Sequence, residues 1–196
     1  SYSVTGVQTC ALPIFFAGGR RLTPDSGTYT YSKDLGREAF RKTRVHQTLT
    51  LNGRDTAYAP RLLMFAPGDR HDVLVVENQS YPNLAHRRAV LFIDKRYFVV
   101  IDDAIGPGAG NVDIHFQLAP APATIEPDRL TARTAFPDGV NLLVAAWGQP
   151  GLTMQQQPGE VSTHYGQKQT RPAMKYRLAK NARTSAVRFI TLLAPF

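Results

Sequence analysis

Apolar and polar residues alternate along much of this chain with a period of two, the spacing of a strand that buries one face. The clearest run is 111–118, where Val112, Ile114, Phe116 and Leu118 share one face and Asp113, His115 and Gln117 the other. It predicts a half-buried antiparallel strand. Residues 45–51 repeat the pattern and lead into Asn52-Gly53, a strong hairpin signal. Residues 73–76, 89–93, 97–101, 141–147 and 187–193 are β-rich, with 89–93 and 97–101 joined by the polar link Asp94-Lys95-Arg96. Turn signals stand at Ala66-Pro67-Gly68-Asp69, Gly106-Pro107-Gly108, Phe136-Pro137-Asp138-Gly139 and Gln157-Pro158-Gly159. One short helix is predicted over 35–43. Many short strands at intervals of roughly 8–12 residues predict an all-β chain, an antiparallel β-sandwich or barrel. The strand-like run 189–196 has no capping turn or polar tail, which predicts a chain cut there and an interrupted sandwich with unpaired edges.

Composition agrees with a folded domain. Hydrophobic residues make up 43% of the 196 and charged residues 19%, too apolar for a disordered chain. No apolar run approaches the ~20 residues that cross a bilayer, so no membrane partner is expected. The formal net charge is +8. Residues 161–196 carry Lys168, Arg171, Lys175, Arg177, Lys180, Arg183 and Arg188 with no acidic residue, and Lys33 to Arg44 adds five basic residues against Asp34 and Glu38. Such a surface attracts a polyanion, and charge alone does not say which. A nucleic-acid-binding barrel has only charge in its favour, because no aromatic-rich RNA-binding signature or phosphate-cradling Gly-rich loop is present.

The first fourteen residues read differently from the rest. Val4-Thr5-Gly6-Val7-Gln8-Thr9-Cys10-Ala11-Leu12-Pro13-Ile14 matches the in-frame translation of a widely used short-read sequencing adapter. Residues 1–14 are therefore expected to be adapter-derived, with residues 15–196 a partial domain truncated at both ends. On that reading the lone Cys10 carries no redox information, and segments of this kind stand outside fold reasoning.

From residue 15 the order of residues resembles a known family. Phe15-Phe16-Ala17-Gly18-Gly19-Arg20-Arg21-Leu22-Thr23-Pro24-Asp25-Ser26-Gly27, followed by Arg41-Lys42-Thr43-Arg44-Val45-His46-Gln47-Thr48, resembles the C-terminal β domain of the heparinase II/III-like polysaccharide lyases. Val73 to Tyr81, His86-Arg87-Arg88, Lys95 to Asp103 and Ile114-His115-Phe116-Gln117-Leu118 look most like the heparinase III type. Asp-Ser-Gly with His-x-Thr some twenty residues later is the more specific pair. The resemblance implies an N-terminal α/α toroid, a C-terminal β-sandwich and a cleft between them. It also implies β-elimination at uronic acid in heparin or heparan sulfate, in a periplasmic or secreted parent protein. The catalytic Asn, Tyr and His of the family lie upstream of the matched segment, so the chain alone is expected to be inactive.

Carried over residue by residue, the resemblance makes Asp25 and His46 ligands of a divalent cation, calcium or zinc, with a third ligand upstream. Read from the residues alone, Asp25 equally suits a turn cap and His46 a half-buried strand histidine. Arg41, Arg44, Arg87 and Arg88 are the candidate contacts to an acidic glycosaminoglycan, since guanidinium forks match sulfate and carboxylate bidentately. His86 suits either such contacts or a solvated strand end. His115 shares a polar face with Asp113 and Gln117, a ligand cluster or an exposed sheet surface. His71 reads as a solvated loop residue, and His164 as a surface residue beside Tyr165. Two alternatives to the lyase reading stand: a non-catalytic polysaccharide-binding β-sandwich, and a lyase for another uronate polymer such as alginate.

Overall fold

The computed structural model describes residues 15–32 and 35–196. The adapter reading of residues 1–14, and Lys33 and Asp34, lie outside the described residues. β1 (Phe16–Ala17) and β2 (Arg20–Arg21) make a small ribbon, and α1 (Leu35–Arg41) is a helix of two turns, close to the predicted 35–43. The remaining strands are β3 (Leu49–Leu51), β4 (Pro60–Ala66), β5 (Asp72–Tyr81), β6 (Leu84–Ile93), β7 (Tyr97–Ile105), β8 (Gly110–Gln117) and β9 (Ala123–Glu126). They continue with β10 (Thr131–Thr134), β11 (Leu142–Ala146), β12 (Thr153–His164), β13 (Gln167–Lys180) and β14 (Ala186–Pro195). An eight-stranded sheet of order β4-β5-β6-β7-β14-β11-β10-β9 packs on a four-stranded sheet of order β12-β13-β8-β3, with every pairing antiparallel. This is the predicted β-sandwich. Among the described residues no helix is long and apolar enough to cross a membrane.

Alternation builds the core. Val112, Ile114 and Phe116 of β8 and Met174, Tyr176 and Leu178 of β13 point inward, meeting Val100, Ala104, Leu142, Val144, Phe189 and Leu193 from the larger sheet. Phe116 and Tyr176 pack edge to face with ring centroids 5.8 Å apart, a spacing typical of aromatic pairs. The opposite face of β8 differs from the expectation of a half-exposed strand. Asp113, His115 and Gln117 are buried as well, because the segment around residues 44–50 and the β12–β13 hairpin cover them.

One turn expectation is corrected. Gln157-Pro158-Gly159 is not a turn but the middle of β12, with Pro158 opposite Pro172. A proline is tolerated there because β12 is an edge strand. The actual turn is Tyr165-Gly166, with Gly166 at φ +71°. β14, which holds the strand-like run 189–196, lies inside the large sheet between β7 and β11. Asn52-Gly53 does turn with both residues at positive φ, although only a single bridge, Leu51 to Arg54, follows it.

The acid-free stretch 161–196 is partly neutralised by acids from other parts of the chain. Lys175 and Arg177 pair with Asp113, Arg188 with Asp103 and Lys168 with Glu160, while Arg171 and Lys180 are buried. Acids from β7, β8 and β12 sit across from these strands, so sequence charge in this stretch overstates the surface charge.

Candidate functional site

Asp25 and His46, 21 residues apart, come together in segments without regular strand structure. His46 Nδ1 lies 2.7 Å from Asp25 Oδ1, and the Gly27 amide donates to Asp25 Oδ2 at 3.2 Å. The Asp-Ser-Gly order has a local reason. Gly27 sits at φ +79°, and a Cβ there would stand 2.1 Å from the Ser162 carbonyl oxygen, so only glycine lets the turn lie against β12. Ser26 is buried, its hydroxyl donating to the Phe40 carbonyl at 3.4 Å. The imidazole is buried while the carboxylate keeps 27% of its surface exposed. Burial pushes the Asp25 carboxyl up, but the His46 hydrogen bond and charge, with the Gly27 and Ser26 amides, outweigh it and hold the group below its ordinary 3.8.

Beside this pair opens a cavity of about 660 Å³ whose walls include Phe40, Arg44, Val45, Glu160 and Arg171. A smaller one of about 290 Å³ adjoins it across Gln156, Thr170 and Arg171. Arg44 is exposed at the cavity wall, and Arg41 is exposed nearby on α1, 3.4 Å from Glu38.

The other two candidate arginines lie elsewhere. Successive residues of a strand face opposite sides, so β6 sends Arg87 outward and His86 and Arg88 inward. Arg87 is bound to Glu77 in a row of alternating charge that runs Arg61, Glu77, Arg87, Asp103, Arg188 across five strands. Arg88 is 1% exposed, so it cannot meet a polymer. It forks onto Asp102 through Nε at 2.6 Å and Nη2 at 3.1 Å, and Nη1 donates to the Gln47 carbonyl. His86 is no solvated strand end either, since its Nε2 lies 2.6 Å from Asp102 Oδ1 in the same buried cluster. His115, also buried, lies 2.9 Å from Thr50 Oγ1 through Nε2 and touches the Gln157 amide through Nδ1. Its neighbours make it an internal hydrogen-bonded residue. His71 and His164 are exposed, as expected.

No three or more His, Cys, Asp or Glu side chains gather into a metal-binding group among the described residues. Asp25 and His46 have the right donor chemistry, but a structural zinc site takes four ligands, and here two donors are bonded to each other. The described residues alone do not make a metal centre.

Residues 13–189 match the family model for the heparinase II/III-like C-terminal domain. A heparin-sulfate lyase of Bacteroides stercoris is 34% identical over 182 residues, covering 90% of this chain and 27% of its own length. One from Pedobacter heparinus is 36% identical over 188 residues, covering 92% and 28%. The crystal structure of a heparan sulfate lyase from Pedobacter heparinus superposes with a TM-score of 0.87 at 35% identity, covering 91% of this chain and 29% of that one. The chain thus spans a little over a quarter of the length of these relatives.

Proposed function

The chain belongs to the heparinase II/III-like family, and from that premise we propose that it is the C-terminal part of a lyase that cleaves heparin or heparan sulfate. The observation that carries this reading is identity of 34% and 36% to two heparin-sulfate lyases across nine tenths of the chain. The reaction is β-elimination at a uronic acid. It needs neutralisation of the uronate carboxylate, a base for the adjacent carbon-bound proton and a proton for the departing glycosidic oxygen. The groups that move protons belong to the remainder of the parent protein, which also supplies the α/α toroid. This chain offers the polymer an oxyanion-binding wall in Arg41 and Arg44, beside the cavity next to Asp25 and His46. Arg87 lies on the far-reaching charge row of the large sheet and is a secondary contact.

A divalent cation, calcium or zinc, belongs to this reading as a group that Asp25 and His46 hold only with a further ligand from the parent chain. When bound it would supply positive charge and rigidity at the pair, and no step of the elimination is assigned to it. The parent is read as periplasmic or secreted, where an extracellular polyanion is met.

The test uses this chain with heparan sulfate, following the ultraviolet absorbance of unsaturated uronate and, separately, retention on heparin resin. Retention beyond that of an equally charged control protein, without product, is the expected outcome. Product from the pure chain would show that the chemistry does not lie elsewhere in the parent, and retention no greater than the control's would remove the substrate-binding wall.

A further inference from the structure

Asp25 and His46 stand on two irregular segments, and neither a shared strand nor a helix holds these segments together. What spans them is Arg171. Its Nη1 donates to the Pro24 carbonyl at 2.6 Å and its Nη2 to the Val45 carbonyl at 3.3 Å, the residues immediately before Asp25 and His46. One guanidinium therefore bridges the backbone on both sides of the pair, reaching from β13 with 5% of its surface exposed. A flat fork with donors at fixed angles suits this task, and a single ammonium would not reach both acceptors in the same way.

Two observations mark the arrangement as more than packing. Arg171 Nε is buried without a hydrogen-bond partner among the described residues. A donor left so is a cost to stability, and buried groups of this kind ask for an explanation. Arg171 also lines both cavities, the larger of which reaches Val45 next to His46. Burial pulls its guanidinium down to about 10 while the Asp25 charge opposes the shift, so the two groups sense one another.

We propose that Arg171 is a positioning residue that sets the Asp25–His46 contact by clamping the carbonyls of Pro24 and Val45. The inference rests on the Asp25–His46 pair being a working part of the lyase only for its purpose. The contact itself is testable whatever the parent cleaves. A Gln47 Nε2 bond to the Thr23 carbonyl at 2.9 Å ties the same two segments one residue further along, so loss of Arg171 loosens the pair rather than scattering it.

The chain carries its own reference for the test. His86 makes an equivalent contact with Asp102 in the core. In ¹⁵N-histidine-labelled chain, His46 is expected as the Nδ1–H tautomer with a slowly exchanging, hydrogen-bonded proton, and His86 as the Nε2–H tautomer. In Arg171→Met, the His46 proton is expected to vanish into exchange with water while the His86 signal stays. A His46 signal unchanged in the folded Met variant overturns the proposal. If the Met variant loses both signals it has not folded, and Arg171→Lys decides. There the His46 proton is expected to exchange at least several-fold faster than in the parent sequence with His86 unmoved, and wild-type exchange overturns the clamp. Unsaturated-uronate assays of the parent lyase form a separate arm, whose failure would speak against the lyase reading and not against the clamp.

Discussion

Among the described residues stand two histidine–aspartate pairs of nearly equal length, His86–Asp102 at 2.6 Å and His46–Asp25 at 2.7 Å. They are built for different ends. Asp102 is 0% exposed and both its oxygens accept from Arg88 or His86, so it has no surface open to a ligand. Asp25 keeps 27% of its surface open beside a cavity and is bound by one side chain and one close backbone amide. A sealed pair bonded only inside the protein is a structural element. An open pair held by neighbours from other strands is where chemistry can be received. The two are joined through Arg88, which grips Asp102 with one side of its guanidinium and the Gln47 carbonyl, next to His46, with the other.

The largest effect tests the sealed pair. Asp102→Ala leaves the Arg88 guanidinium buried with no carboxylate, and removal of one partner from a buried ion pair costs roughly 3–5 kcal/mol. Urea unfolding should show the unfolding free energy falling by that much, read as a lower midpoint at unchanged slope. The charge arrangement also has a pH signature. Burial pushes the Asp102 carboxyl up, but Arg88 and His86 outweigh it and hold it at about 2. A carboxylate depressed in the folded state stabilises above its unfolded value near 4, and that stability is lost as pH falls toward about 2. An equal cost for Asp102→Ala and Asp25→Ala would break the comparison.

A second sealed imidazole gives the next effect. Burial pulls His115 from its ordinary 6.5 down to about 4, with the Asp113 charge and the Gln157 bond pulling the other way. The folded state thus holds this ring neutral where the unfolded chain takes up a proton. Stability from His115 is fully present above pH 6.5 and lost as pH falls through about 4, a difference of roughly 3 kcal/mol. Buried His86 is shifted in the same direction. His115→Gln is expected to flatten the unfolding midpoint between pH 6.5 and 4, and an unflattened curve would move the titration to other groups.

The strands were readable from sequence where one face was apolar, as in β5 to β8, β11 and β14. The long β12–β13 hairpin was not, because Gln155, Gln156, Gln157, Lys168, Gln169 and Thr170 are polar, and Pro158, Gly159 and Pro172 imitate a turn. Its strand character comes from pairing across the hairpin and with β8, which no local pattern records. Asp25 and His46 were legible as a motif at fixed spacing. Arg171 was not, since 125 residues separate it from His46 and it stood among six other basic residues. Only the register of β13 brings it to the pair. Alternation alone would have separated Arg87 from Arg88, for neighbours in a strand cannot share a face.

The cavity wall provides a third and more local test. Arg41→Ala with Arg44→Ala is expected to lower the salt concentration that elutes the chain from heparin resin, by more than Arg87→Ala does. Arg41 and Arg44 are exposed beside the cavity, whereas Arg87 already shares Glu77 with Arg61. Unfolding free energies should stay within about 0.5 kcal/mol, as for surface substitutions away from caps and networks. Equal elution shifts from the two sets would make the binding generic to charge.

The smallest stability effect falls on the open pair. Asp25→Asn keeps one oxygen to accept from His46 Nδ1, but its NH2 takes the place of the oxygen that accepts from the Gly27 amide, so that bond goes with the charge. With more than a quarter of the carboxylate in water, solvent already answers much of that charge, so the loss is expected at about 1 kcal/mol or less. The sign with pH follows from the depressed carboxyl. Its stabilisation is present above the unfolded value of 3.8 and disappears as pH falls through the lower folded value, so parent and Asn variant converge in acid. Paired urea curves at pH 7 and pH 3 measure this directly. A cost near that of Asp102→Ala at pH 7 would mean that Asp25 is as sealed as Asp102, and the distinction between a structural pair and a receptive one would fall.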